Sequence, residues 1–304
     1  MLKMLNKYKF LFIILFILFV FTLVITTVRV DYIAYIPGST DRVGKVVEIE
    51  GDEKSDNYYS TSVYYLDRIT IFQKFFFKNI KDGAVYKRPK NMTSKKDALQ
   101  GEIEHNSAIY TSIISAYKKA EKPLDYTFVG MYVYDTTSSV LSIGDVVLGS
   151  CYEECCNNLN SGEFEILTNN KKETVKLNDG DKVRLEYPYY EIKDDKIKIY
   201  SSNDGGPSAG LMQALKLYDD LVEEDFATNY KVAGTGTIDD NGNVGAIGCI
   251  GIKLYTAVYN KCDIFFIPEE NRKEAEVTIK KLKTNMKIVF VNTLDEAVDY
   301  LRSV

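Results

Sequence analysis

Residues 10–28 carry no charged side chain and are drawn almost wholly from Phe, Leu, Ile and Val. As a helix rising about 1.5 Å per residue, such a run reaches about 28 Å, the thickness of a bilayer core. A helix apolar on every side has no face to offer to water, so this stretch constrains the fold before any other. Lys3, Lys7 and Lys9 precede it and only Arg29 follows closely. That asymmetry places the N-terminus in the cytoplasm and the rest outside. A cleaved signal peptide is the rival reading. Its apolar region would be shorter and would end in small residues, which Ile25, Thr26, Thr27, Val28 and Arg29 do not provide. The expectation is a single-pass cell-membrane protein with residues 1–9 cytoplasmic and 10–28 as a retained anchor. The net charge is −5 although the leading lysines contribute positively. The remainder is therefore acidic, which argues against a nucleic-acid partner.

The second constraint is chemical. Asp204, Gly205, Gly206, Pro207, Ser208, Ala209 and Gly210 separate a strand-like run, 196–200, from a helix-like run, 211–221. Glycines permit a tight turn and close approach of another molecule. A helix N-terminus offers free N–H groups and partial positive charge. A serine there suits a nucleophile with oxyanion donors beside it. It equally suits a capping serine in a glycine-rich turn or a phosphate cradle.

The chain has one histidine, His105, at the head of the amphipathic run 105–120. A capping or solvated role is expected for it, so a hydrolase of this sequence would draw its base from Lys or a carboxylate. Lys253 opens a helix-like run, 253–259, after the glycine-rich approach Gly248, Cys249, Ile250, Gly251. A surface lysine is the ordinary reading of such a residue. Desolvated beside apolar neighbours, it would lose basicity and become a usable base. The five cysteines, Cys151, Cys155, Cys156, Cys249 and Cys262, form neither an even disulfide framework nor a paired zinc motif. Small apolar fillers or free thiols are expected, with no metal and no cofactor.

Between anchor and serine loop, 32–36 reads as a strand ending at the turn Pro37–Gly38, and 43–49 and 58–65 as two more. Residues 69–80, with Phe72, Phe75, Phe76 and Phe77, read as a helix packed on the protein or lying at the membrane surface. Residues 81–100 read as a polar loop. Short strands near 128–134, 145–148, 163–167, 174–177 and 183–187 make a small β-rich module. From 194 onward strands and helices alternate. Asn241–Gly242 marks a hairpin, and Thr293 with Glu296 a capping box before the last helix.

Two stretches of the module, 141–148 and 178–183, loosely resemble strands of PDZ domains, without an obvious carboxylate-binding loop around Phe128, Val129, Gly130 and Met131. The C-terminal part resembles the proteolytic domain of Lon proteases. The residues that carry the likeness are Gly205 to Leu211, Gly234 to Ile238, the Asn241–Gly242 and Val244–Gly245 pairs with Ile247–Gly248, and Lys253. With the anchor, the architecture is most similar to membrane-anchored PDZ–Lon proteases. The fold so implied is α+β: a transmembrane helix, a degenerate PDZ-like module and a Lon-type α/β proteolytic domain. The boundaries expected are 1–9, 10–28, 29–122, 123–190 and 191–304.

The likeness implies a serine endopeptidase with Ser208 as nucleophile, Lys253 as general base and Thr235 orienting the lysine. It implies peptide or protein substrates outside the cytoplasm, and homo-oligomerisation through the proteolytic domain. No G-x-x-x-x-G-K-[ST] sequence is present, so no nucleotide partner and no ATP dependence are expected. The chain departs from the family at Cys249, where a second glycine is usual; the thiol is expected to narrow the pocket or confer thiol sensitivity. A catalytically silent, membrane-tethered peptide-binding or scaffold protein is the alternative.

Overall fold

The computed structural model describes residues 2–51, 54, 56–89, 93–149, 159, 161–201, 205–222 and 224–304. Helix α1, Leu2–Thr27, contains the apolar run. Among the described residues it is the one helix long and apolar enough to cross a membrane, a test a signal sequence also passes. The span Tyr8–Thr27 has mean hydropathy 3.0 and none of it is buried against the protein.

The elements that follow are β1 (Tyr32–Arg42), β2 (Val47–Ile49), β3 (Tyr58–Leu66), α2 (Ile71–Asn79), β4 (Ala84–Lys87) and α3 (Ser94–Lys119). Next come β5 (Tyr126–Thr136), β6 (Val146–Leu148), β7 (Gly162–Thr168), β8 (Lys171–Leu177), β9 (Val183–Ile192) and β10 (Ile197–Ile199). The C-terminal elements are α4 (Gly210–Leu221), β11 (Val232–Gly234), β12 (Thr237–Ile238), β13 (Val244–Gly245), α5 (Ile250–Tyr259), β14 (Ile264–Pro268), α6 (Arg272–Ile279), β15 (Lys287–Val291) and α7 (Leu294–Arg302).

A six-stranded sheet in the order β15-β14-β11-β3-β1-β4 carries the architecture. β11, β14 and β15 run parallel, β3 joins β11 in parallel, and β1 and β4 complete the sheet antiparallel. The sheet therefore joins residues 32–87 to residues 232–291, across the separation expected between 29–122 and 191–304. Side chains alternate across each strand. Ile264 and Phe266 enter a core with α3, α4 and α7 residues, whereas Phe265 and Ile267 enter a second core with α5 and α6 residues. Helices thus cover both faces, which is why β14 reads as a continuous apolar run. Between the two contributions lies a five-stranded sheet, β8-β7-β6-β5-β9, with its own core of Val133, Val147, Ile166 and Leu185.

Several local readings change. The chain does not turn at Pro37–Gly38: β1 continues to Arg42 and absorbs the pair as a register shift against β3. An irregularity costs less there than ending a strand whose pairing with β3 resumes at Thr40 and runs to Arg42. Residues 43–49 form a short 3-10 turn and then β2. Residues 81–100 hold β4 and the start of α3, whose first turn is capped by Thr93 accepting from Lys96 N. His105 consequently lies well inside α3, buried, rather than capping it in solvent. The hydroxyl of Thr293 accepts from Glu296 N, but the Glu296 carboxylate accepts from Asn292 N, so the capping box closes one residue early. Phe128 to Met131 lie within β5, with Gly130 pressed against the Val147 carbonyl. Asp204, Cys151, Cys155 and Cys156 lie outside the described residues.

Candidate active site

Ser208 lies two residues before the first residue of α4, a helix on one face of the six-stranded sheet. Lys253 lies in the first turn of α5, on the opposite face. They meet beyond the C-terminal end of β11, where ligand sites in parallel sheets form because the helices on the two faces converge there.

The serine loop is held at both ends. Gly206 has φ +89°, a conformation open to glycine. Its N–H donates to the Gly101 carbonyl of α3 at 2.9 Å, and the bare Cα atoms of Gly101 and Gly205 allow that contact. On the other side, Gly236 N donates to the Ser208 carbonyl at 2.9 Å, and Leu211 N donates to the Gly236 carbonyl at 3.1 Å.

Lys253 Nζ is 2.5 Å from Ser208 Oγ and 3.0 Å from Thr235 Oγ1. Thr235 Oγ1 donates to the Ser208 carbonyl at 3.1 Å. Its own proton is thereby committed, and its lone pairs are left to accept from the lysine. Thr235 is fully buried and Lys253 only 4% exposed. Burial pushes the Lys253 ammonium down to about 8, with the Cys249 thiol acting in the opposite direction. The cause is the loss of hydration that favours the charged form in water.

The structure therefore brings Ser208, Lys253 and Thr235 together in one hydrogen-bonded group, which opens on a cavity of about 300 Å³. Ser39 and Asp41 of β1 and Ser60, Thr61 and Ser62 of β3 form one wall. Ser39 Oγ donates to Asp41 Oδ2 at 2.5 Å. His105 and Gln213 also line it, and neither stood out as a site residue in the sequence. Both amide atoms of Gln213 are buried without a hydrogen-bond partner among the described residues. One cue was present: Gln213 interrupts an otherwise apolar helical run, Leu211, Met212, Ala214, Leu215. His105 gave no such cue, because its approach to the cavity depends on how α3 packs.

Cys249 is half-buried and caps α5 in the left-handed conformation, φ +61°. It stands one turn before Lys253, whose N–H donates to the Cys249 carbonyl at 3.1 Å. Its thiol is pushed up, first by burial. Cys262 is buried, and its thiol is pushed up to about 11. A left-handed side-chain residue carries a steric cost that glycine avoids. Cys249→Gly is therefore expected to raise stability by about 0.5–1 kcal/mol, as the relief of left-handed strain exceeds the added chain entropy. The thermal midpoint of the variant against the parent measures this; a clear fall would show that thiol packing outweighs the backbone strain.

Comparison with known proteins is consistent with this geometry. Residues 182–302 match the family of Lon protease (S16) C-terminal proteolytic domains. A Lon protease of Chlamydia pneumoniae is 36% identical over 93 residues, 31% of this chain and 11% of the relative. One from Trichlorobacter lovleyi is 37% identical over 93 residues, again 31% and 11%. One from Haemophilus influenzae is 30% identical over 122 residues, 40% of this chain and 15% of that protein. The chain thus spans well under a fifth of the length of these relatives. The matched stretch takes in β9 and everything from β10 to α7, and leaves β1 and β3 outside it. The C-terminal part of the chain is similar to the proteolytic domain of Lon proteases, and the enzyme class this supports is a serine protease.

Proposed function

We propose that this chain is a membrane-anchored serine endopeptidase that works outside the cytoplasm without ATP, through Ser208, Lys253 and Thr235. The observation that carries the reading is the 2.5 Å contact between Ser208 Oγ and a buried Lys253 Nζ. In its neutral form Lys253 donates one N–H to Thr235 and turns its lone pair to the Ser208 hydroxyl. The lysine takes the Ser208 proton as Oγ attacks the peptide carbonyl carbon. The carbonyl electrons move onto oxygen, beside the N-terminus of α4, whose dipole favours negative charge. As the tetrahedral species collapses, the C–N bond breaks and the protonated lysine gives its proton to the leaving amine. Water, deprotonated by the same lysine, then hydrolyses the ester and restores Ser208.

The N-terminal anchor would hold this site beside the membrane, with secreted or membrane-associated peptides and proteins as substrates. The degenerate PDZ-like module would assist by pairing with an extended substrate. Its outer strand β8 is largely exposed and stands at the edge of its sheet, the arrangement strand addition requires.

A peptide boronate tests the assignment, because boron accepts the serine oxygen and mimics the tetrahedral species. The full chain is expected to give a tetrahedral boron resonance and to lose peptide hydrolysis, both without added nucleotide. The Ser208→Ala chain should give no such resonance. An equal signal in that variant would remove Ser208 from the mechanism. Hydrolysis that required ATP would contradict the nucleotide-independent reading.

A further inference from the structure

Helix α2 is assembled inside out for a protein surface. Its exposed positions are Ile71, Phe72, Phe75, Phe76, Lys78 and Asn79, which share one side of the helix at its 3.6-residue period. Gln73, Lys74 and Phe77 are half-buried on the other side, the side that meets β1 and β4. Lys74 Nζ sits 3.4 Å from the centre of the Tyr32 ring of β1. Gln73 and Lys74 therefore face the protein beside Phe77, while the rings of Phe72, Phe75 and Phe76 face outward. Phe75 is 72% exposed, and Phe72 and Phe76 stack on each other in the open. The helix itself is well made, with a complete capping box between Thr70 and Gln73. Its rings are thus held outward by a defined backbone.

The position of α2 says what covers those rings. Ile71 N donates to the carbonyl of Val28, one residue past the end of α1, at 3.2 Å. Val30 N donates to the Ile69 carbonyl at 2.9 Å, and Arg29 bridges Thr70 antiparallel. The chain leaving α1 and the chain entering α2 run in opposite directions at the same level. Residues 69–71 therefore return towards the end of the apolar span. An apolar helix face with the exposed Lys78 beside it, fixed at that level, matches the boundary between headgroups and acyl chains.

We infer that the outward face of α2, centred on Phe72, Phe75 and Phe76, is embedded in the surface of the bilayer that α1 crosses, with Lys78 at the lipid headgroups. The inference rests on the reading of α1 as a retained anchor. It adds that the protein has a second, non-covalent hold on the membrane. Because α2 packs on β1, and β1 supplies Ser39 and Asp41 to the cavity wall, this hold fixes the cavity at one height above the lipid. Membrane-proximal segments of substrates would be the ones presented to it.

The chain contains no tryptophan, so a single introduced one reports alone. The experiment uses full-length Phe75→Trp and, separately, Phe72→Trp, in nanodiscs of phosphatidylcholine with phosphatidylglycerol. In both, emission should be blue-shifted relative to tryptophan in water and protected from iodide. Lipids brominated near the headgroup end of the acyl chain should cut it at least about twofold, the depth expected of an interfacial helix. Water-like emission quenched by iodide, in a chain whose intact mass and co-elution show α1 in the disc, would overturn the inference and leave the anchor standing. Blue-shifted emission untouched by brominated lipid would also overturn it, in favour of a protein partner such as a second copy. A chain that leaves the disc lacking its first residues would overturn the anchor reading itself.

Discussion

A Ser208→Ala chain is expected to cleave peptides at least about 10⁴-fold more slowly than the parent, the scale on which removal of a nucleophile is felt in serine hydrolases. The expectation follows from position. Ser208 Oγ is the hydroxyl that Lys253 reaches at 2.5 Å and that also opens on the cavity, whereas Thr235 Oγ1 is fully buried and has its proton on the Ser208 carbonyl. Thr235 cannot take over the attack. The loop should survive the change, because what holds it is backbone: Gly206 on Gly101, Gly236 on Ser208, Leu211 on Gly236. Losing one oxygen leaves the Lys253–Thr235 bond in place. Steady-state hydrolysis should collapse while the thermal midpoint stays within a few degrees, equivalent to less than about 1 kcal/mol. A variant that keeps a tenth of parental turnover would remove the nucleophile assignment. One that loses turnover and unfolds together would show that Ser208 is structural.

How much of this was legible before folding depended on the range of the interactions. The serine loop and the Asn241–Gly242 hairpin are set by residues within a few positions of one another, so glycine placement and periodicity reveal them, whereas α5 begins at Ile250 and not at Lys253 as expected. Ser208 and Lys253 are candidates for nucleophile and base from their local glycine-rich settings and the single histidine, and the family likeness strengthens their pairing, but nothing in their separation says that α4 and α5 cover opposite faces and converge at the end of β11. The partnership of β3 with β11 was invisible for the same reason. Tyr58 opposite Val232 is a contact between distant segments, and alternation within either strand does not name its neighbour. Pro37–Gly38 misleads because a local turn signal is overridden by the pairing of β1 with β3 on either side of it along the strand. The aromatic run at 69–80 shows its helix in the sequence, but which side of it is covered depends on how it meets β1, β4 and the end of α1, which are tertiary facts. Gln213 and His105 reach the cavity through helix packing, and of the two only Gln213 broke a sequence pattern.

Lys253 links activity to pH in a direction that burial fixes. Its ammonium is pushed down to about 8 because it sits in the protein interior. In the proposed mechanism the neutral amine is the base. The rate at low substrate should therefore climb about tenfold per pH unit below about 8 and level off above it. Lys253→Arg places a group that stays charged throughout, so that variant should be inactive across the whole range rather than shifted. Lys253→Met should be equally inactive, and it carries a second signature. In the unfolded chain the lysine titrates near its ordinary value of about 10.4. Between about 8 and about 10.4 the unfolded state binds the extra proton, so parental stability rises with pH through that window. Below it both states are protonated and the folded chain bears the full cost of a buried ammonium. That cost is about 3 kcal/mol, since each tenfold loss of proton affinity on folding is worth about 1.4 kcal/mol. Methionine has no charge to bury. Part of the gain is offset by the Ser208 and Thr235 hydroxyls it leaves without their partner, at about 1 kcal/mol each. The Lys253→Met chain should thus be no less stable than the parent at pH 7, with the difference shifting in the parent's favour from about pH 8 to about pH 10.4. Urea unfolding at several pH values, beside the pH profile of hydrolysis, measures both. A parental rate independent of pH between about 6 and about 9, or a Lys253→Met chain much less stable than the parent near pH 7, would mean that this lysine serves the fold and not the reaction.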